Sequence, residues 1–102
     1  MKEEYIALPL VKNTEAHHFE MEVDGHKAII AYRQTPERIT LIHTEVPPEL
    51  EGKGAATAII EKTLEYIETN HLVLIPLCPL VVAYIKRHPE WKRIVDPSVK
   101  NL

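Results

Sequence analysis

The chain has 102 residues, 45% of them hydrophobic, and a net charge of −3 from 12 basic and 15 acidic side chains. That describes one domain with one core: too short for two, too apolar for disorder, and without the positive excess of a nucleic-acid surface. A single cysteine excludes an internal disulfide and points to a reducing, cytosolic setting. No stretch reaches the roughly 20 apolar residues that a membrane helix needs, and the acidic start MKEEYIALPLVKN does not make a signal peptide.

Residues 1–16 hold an apolar patch, Ile6, Leu8, Leu10 and Val11, before the polar stretch KNTEAHH, and read as a partly flexible N-terminal segment. In HFEMEV, Phe19, Met21 and Val23 alternate with Glu20 and Glu22, the period-2 pattern of a half-exposed strand. Asp24-Gly25 is a hairpin signal, and HKAIIAYRQ is the returning strand. After the turn Thr35-Pro36-Glu37 comes RITLIHTEV, which puts Ile39, Leu41 and His43 on one face and Thr40, Ile42 and Thr44 on the other. Pro47 and Pro48 end it, because neither offers an N–H to a ladder. Over residues 54–69, Ala56, Ile59, Ile60, Leu64 and Ile67 recur at three and four, with Glu61, Lys62, Glu65 and Glu68 opposite, which predicts an amphipathic helix. The apolar run Leu72, Val73, Leu74 and Ile75 predicts a central strand covered on both faces. A helix between two strands predicts a right-handed crossover and a parallel pair. Pro79 then opens a short helix that Pro89 ends, and Trp91, Ile94 and Val95 close the core as a last strand or coil. The expected fold is mixed α+β, in the order β-β-β-α-β-α, as a single domain over residues 1–102.

Two of the three glycines, Gly52 and Gly54, stand directly before the long helix. A helix start exposes unpaired N–H groups and the positive end of the macrodipole. Glycines there let a phosphate approach the backbone, and Lys53 can add a positive charge. The loop reads as a diphosphate cradle. It lacks the Lys-Ser/Thr pair of a Walker loop and the third glycine of a dinucleotide fingerprint. The plainer reading is that small residues let the helix pack tightly.

The stretch VPPELEGKGAATAIIEKTLEYIE resembles the acetyl-CoA motif of the GNAT N-acetyltransferase superfamily: Gln or Arg, two residues, Gly, one residue, then Gly or Ala. Here it falls on Glu51, Gly52, Lys53, Gly54, Ala55 and Ala56. Gly54 and Ala56 match; Glu51 departs, putting an acid where the pattern has an amide or a base. His43-Thr44, Val46-Pro47, Ile75-Pro76, Cys78 and Trp91 extend the likeness to a short, minimal subgroup over roughly residues 17–95. The resemblance implies that the strands at 38–46 and 72–75 splay apart, with the pantetheine arm of CoA in the gap. It implies a cofactor site at Val46, Glu51, Gly52, Lys53, Gly54, Ala55, Ala56 and Thr57, with the Val46 N–H polarising the thioester carbonyl.

Cys78 precedes Pro79, a preferred first helical residue, so its sulfur lies at a helix N-terminus, where the dipole favours thiolate. It is a candidate acetyl-accepting nucleophile, or else a small buried hydrophobe. For direct attack by an amine, His43 and Glu45 are the candidate bases; a core-edge histidine and a solvated carboxylate are their plainer readings. Tyr84, on the short helix, is a candidate general acid toward the leaving thiolate, or a packing residue. His17, His18 and His26 have no carboxylate or cysteine at ligand spacing, and a metal is set aside.

The expected activity is acetyl-CoA-dependent transfer of an acetyl group to an amine. Asp24-Gly25 makes a tight hairpin where the superfamily usually has a helix pair walling the acceptor site, so the resemblance implies an open site suited to a peptide or protein amine. The alternatives are a non-catalytic CoA or acyl-CoA binding module and a pure interaction domain. No nucleic-acid or membrane partner is expected.

Overall fold

Alternating apolar residues set the sheet. The computed structural model describes residues 1–100 and 102. It runs α1 (Glu3–Ile6), β1 (Val11–Asn13), β2 (His18–Val23), β3 (His26–Gln34), β4 (Arg38–Glu45), a 3-10 turn (Pro48–Leu50), α2 (Ala55–Thr69), β5 (Val73–Pro76), α3 (Pro79–Arg87) and a second 3-10 turn (Pro89–Ile94). The five strands lie in sequence order, antiparallel except for the parallel pair β4–β5. At the β2–β3 turn Asp24 and Gly25 have φ of 49° and 79°, the two positive values that a tight primed turn demands. Residues 1–16 add α1 and β1, and Tyr5 of α1 is buried in the core.

Phe19, Met21, Ala28, Ile30, Ile39 and Leu41 point from one sheet face into a core completed by Ala58, Ile59, Leu64 and Ile67 of α2 and by Val81 and Ile85 of α3. The two helices touch each other and share that face. The opposite face keeps Ile29, Ala31 and Thr40 half-buried and Ile42 exposed.

Two expectations are corrected. Strict alternation was to put His43 beside Ile39 and Leu41. Instead Tyr32 pairs with Leu41 and Ala31 with His43, so Ile42 is an extra residue on β4. This bulge shifts the phase by one: Thr44 turns inward and His43 outward. The second correction concerns β5, which is an edge strand with only Leu74 and Pro76 buried. A short apolar run does not reveal whether one face or both will be covered.

The C-terminal stretch closes over that edge. Trp91 and Ile94 are buried, Val95 bridges Leu74, and the Asp96 amide donates to the Leu74 carbonyl at 2.9 Å. The Asp96 carboxylate accepts from the Ser98 amide at 2.9 Å, the Ser98 hydroxyl at 2.7 Å and Arg38 Nε at 2.9 Å. The two Ser98 bonds, then Arg38, pull the Asp96 carboxyl down to about 2 from the ordinary 3.8. The folded state therefore binds this proton less tightly than the unfolded chain, so the stabilisation is present above pH 3.8 and is lost as pH falls toward 2. Thermal unfolding across that range should fall more steeply for the wild type than for Asp96→Asn; parallel curves would remove the clasp as the cause.

Candidate active site

The chain leaves β4 through Pro47 and Pro48 and makes a tight turn. Leu50 N donates to Pro47 O at 2.9 Å, Glu51 N to Pro48 O at 3.2 Å, and Lys53 N to Leu50 O at 3.3 Å. Gly52 and Gly54 then adopt φ of 73° and 81°. A Cβ at Gly52 would meet nothing within 4 Å, so its requirement is conformational and not one of space. The two left-handed residues turn the chain into α2 with no side-chain cap. Among the described residues, the amides of Gly52, Gly54, Ala55, Ala56 and Thr57 have no protein acceptor. These are the orphan donors of a helix start, at the positive end of its dipole.

They border a cleft of about 320 Å³ lined by Thr44, Val46, Leu50, Glu51, Gly52, Gly54, Ala55, Ala56, Thr57 and Leu80. The end of β4 and the start of α3 form its other walls. The β4–β5 ladder ends at Leu41 and Pro76, where the amides of Leu77 and Cys78 both donate to the Leu41 carbonyl at 3.0 Å. Beyond this point β4 pairs with β3 alone while the chain after β5 turns into α3, so the two strands part. The Val46 amide has no protein acceptor among the described residues.

Of the sequence-derived candidates, Val46, Glu51, Gly52, Gly54, Ala55, Ala56 and Thr57 come together in this cleft. Lys53 lines a separate groove with Lys2, Tyr5 and Asp24 on the other side of the loop. Cys78 caps α3 and is only 2% exposed. Its Sγ lies 3.2 Å from Thr44 Oγ1, and Thr44 stands between it and the cleft. Sequence reasoning missed Thr44, because only the bulge turns it inward. His43 and Glu45 keep a common face, with Nε2 and Oε1 4.0 Å apart and side chains 59% and 67% exposed. Alternation with Thr44 puts them on the sheet face that carries no helix among the described residues. Tyr84 is buried, its ring centroid 4.4 Å from that of His88, away from the cleft lining. Burial first, then the charge of Glu61, pushes its phenol above the ordinary value.

No helix among the described residues is long and apolar enough to cross a membrane. A family model described as GCN5-related N-acetyl-transferase matches residues 18–94, from β2 through the second 3-10 turn. The match supports a general acetyltransferase function, and the family generally uses acetyl-CoA and an amine acceptor. Parted parallel strands, an uncapped helix start between them and a match over most of the 102 residues lead to one conclusion: the chain belongs to the GCN5-related N-acetyltransferase family.

Proposed function

We propose that the chain is a cytosolic, acetyl-CoA-dependent N-acetyltransferase whose open acceptor site takes an amine of a peptide or protein. The observation that carries this is the set of amides without a protein acceptor among the described residues, at Gly52, Gly54, Ala55, Ala56 and Thr57, all residues that line the cleft where β4 and β5 part. Those amides suit a diphosphate, since they offer fixed donors and a positive dipole. The Val46 N–H is the donor to the thioester oxygen, where charge builds during attack. Acetyl-CoA, when bound, would supply the acyl carbon: as the amine nitrogen bonds to it the carbon–sulfur bond would break, and CoA would leave as a thiolate that takes its proton from solvent. His43 or Glu45 takes the proton that the amine loses, from the face without helices. That uncovered face is also what gives an extended peptide room to approach.

Cys78 offers a second route, through an acetyl thioester on the enzyme. Its burial behind Thr44 favours direct attack. Cys78→Ala is expected to keep turnover within a few-fold, with no acetyl on Cys78 after incubation with labelled acetyl-CoA. Loss of turnover together with acetyl-Cys78 in the mass spectrum would establish the covalent route instead.

One observation favours the non-catalytic reading: the carboxylate-bearing Glu51 lines the cleft where the family pattern has Gln or Arg. A titration separates the two. CoA and acetyl-CoA should both raise the melting temperature, and acetyl-CoA with peptides bearing lysine or a free N-terminus should release thiol. Binding without thiol release would make the chain a CoA-binding module, and no shift with either ligand would sink both readings.

A further inference from the structure

The part of the chain that the family match leaves out reaches into the cofactor loop. The match begins at residue 18, yet Tyr5 of α1, 2% exposed, donates from its hydroxyl to the Lys53 carbonyl at 2.8 Å. Its ring edge lies 3.9 Å from where a Cβ on Gly54 would stand. Lys62 of α2 donates to the Ile6 carbonyl at 3.0 Å and ties down the end of α1. Burial, with smaller contributions from Glu4 and Asp24, holds the Tyr5 phenol above its ordinary value, so it remains a donor.

The Lys53 carbonyl and the Gly54 N–H belong to one peptide unit. No peptide bond in the described chain is cis, so the two groups point in opposite directions. A carbonyl held toward Tyr5 sends the Gly54 N–H away from Tyr5, and Gly54 lines the cleft. Gly54, on one side of this peptide plane, adopts a φ of 81° and lets the plane turn at little steric cost, and the Gly54 amide has no protein acceptor among the described residues to hold it.

We propose that Tyr5 is a positioning residue: it sets the Lys53–Gly54 peptide so that the Gly54 amide faces the diphosphate of the coenzyme. The idea rests on the reading of the cleft as a CoA site. It makes the N-terminal segment a working part of that site, acting through the Lys53 carbonyl.

Tyr5→Phe in the full chain tests it. The ring stays in the core and only the hydroxyl is lost, with thermal unfolding confirming the fold. The dissociation constant for CoA and the KM for acetyl-CoA should rise by about threefold to tenfold, the size of one hydrogen bond, with kcat unchanged. With acetyl-pantetheine, which lacks the diphosphate, KM should not move. The Gly54 amide resonance of the ligand-free protein should shift or broaden. An unchanged affinity for CoA, or an equal loss with both donors, would overturn the positioning role and leave the site reading intact. A wild type that binds no CoA would overturn the site reading and this role with it.

Discussion

Ala56→Asp is expected to weaken CoA binding by about a hundredfold or more while leaving the fold as stable as before or slightly more so. Ala56 is half-buried in the first turn of α2 and lines the cleft. That turn carries no acidic residue. A carboxylate there complements the helix dipole and adds about 0.3–1 kcal/mol of stability. For a diphosphate the same carboxylate is a like charge that also competes for the free amides. Two unit charges 4 Å apart interact by about 4 kcal/mol at an effective dielectric of about 20. Trimmed by screening, that is still on the order of a hundredfold in affinity. Calorimetric titration and thermal unfolding of the same variant read the two effects, and their opposite signs separate the site from the fold. Wild-type affinity in this variant would mean that the amides do not hold the diphosphate.

Val46→Pro should act on the chemistry and spare the binding. Proline removes the N–H and fixes φ; it also favours an extended residue before it, which Glu45 at the end of β4 already is, and the Val46 amide has no protein acceptor among the described residues. If that N–H meets the thioester oxygen, kcat should fall about 10²–10³-fold below that of Val46→Ala, the usual cost of one such donor. The alanine variant keeps the N–H and controls for the lost side chain, which packs against the core. Affinity for CoA should stay within a few-fold of wild type. Equal kcat in the two variants would take the amide out of the mechanism.

Much of this geometry is legible in the residues. Asp24-Gly25 names its own turn, since few residues other than these accept two positive φ values in a row. The α2 stripe names its buried face: Ile59, Ile60, Leu64 and Ile67 are all buried. The loop is legible because Gly52 and Gly54 both need left-handed backbone. Other features are carried only by tertiary packing. Nothing at Ile42 marks a bulge, because any residue can be the extra one in a strand; yet that residue decides that Thr44, and not His43, faces the helices. The run Leu72 to Ile75 could be a centre or an edge, and what lies beside it comes from residues 95 and 96, twenty positions on by approximate count. Lys53 falls on the far side of the loop because the left-handed turns on either side aim its side chain, which composition does not encode. In α1 the exposed Ile6 and the buried Tyr5 are adjacent, and four residues are too few to show a period.

The closure of the C-terminal stretch over β5 has a consequence for how copies of this protein behave together. Bare strand borders invite strands from neighbouring molecules, and short apolar runs such as LVLI are the usual templates for aggregation. Here Val95 already lies along Leu74, the Leu74 carbonyl is taken by the Asp96 amide, and the Asp96–Arg38 charge pair stands beside it. At the other border β1 is three residues long and carries Lys12. The C-terminal chain thus covers one rim of the sheet and a short, lysine-bearing strand ends the other, which disfavours open-ended stacking of copies.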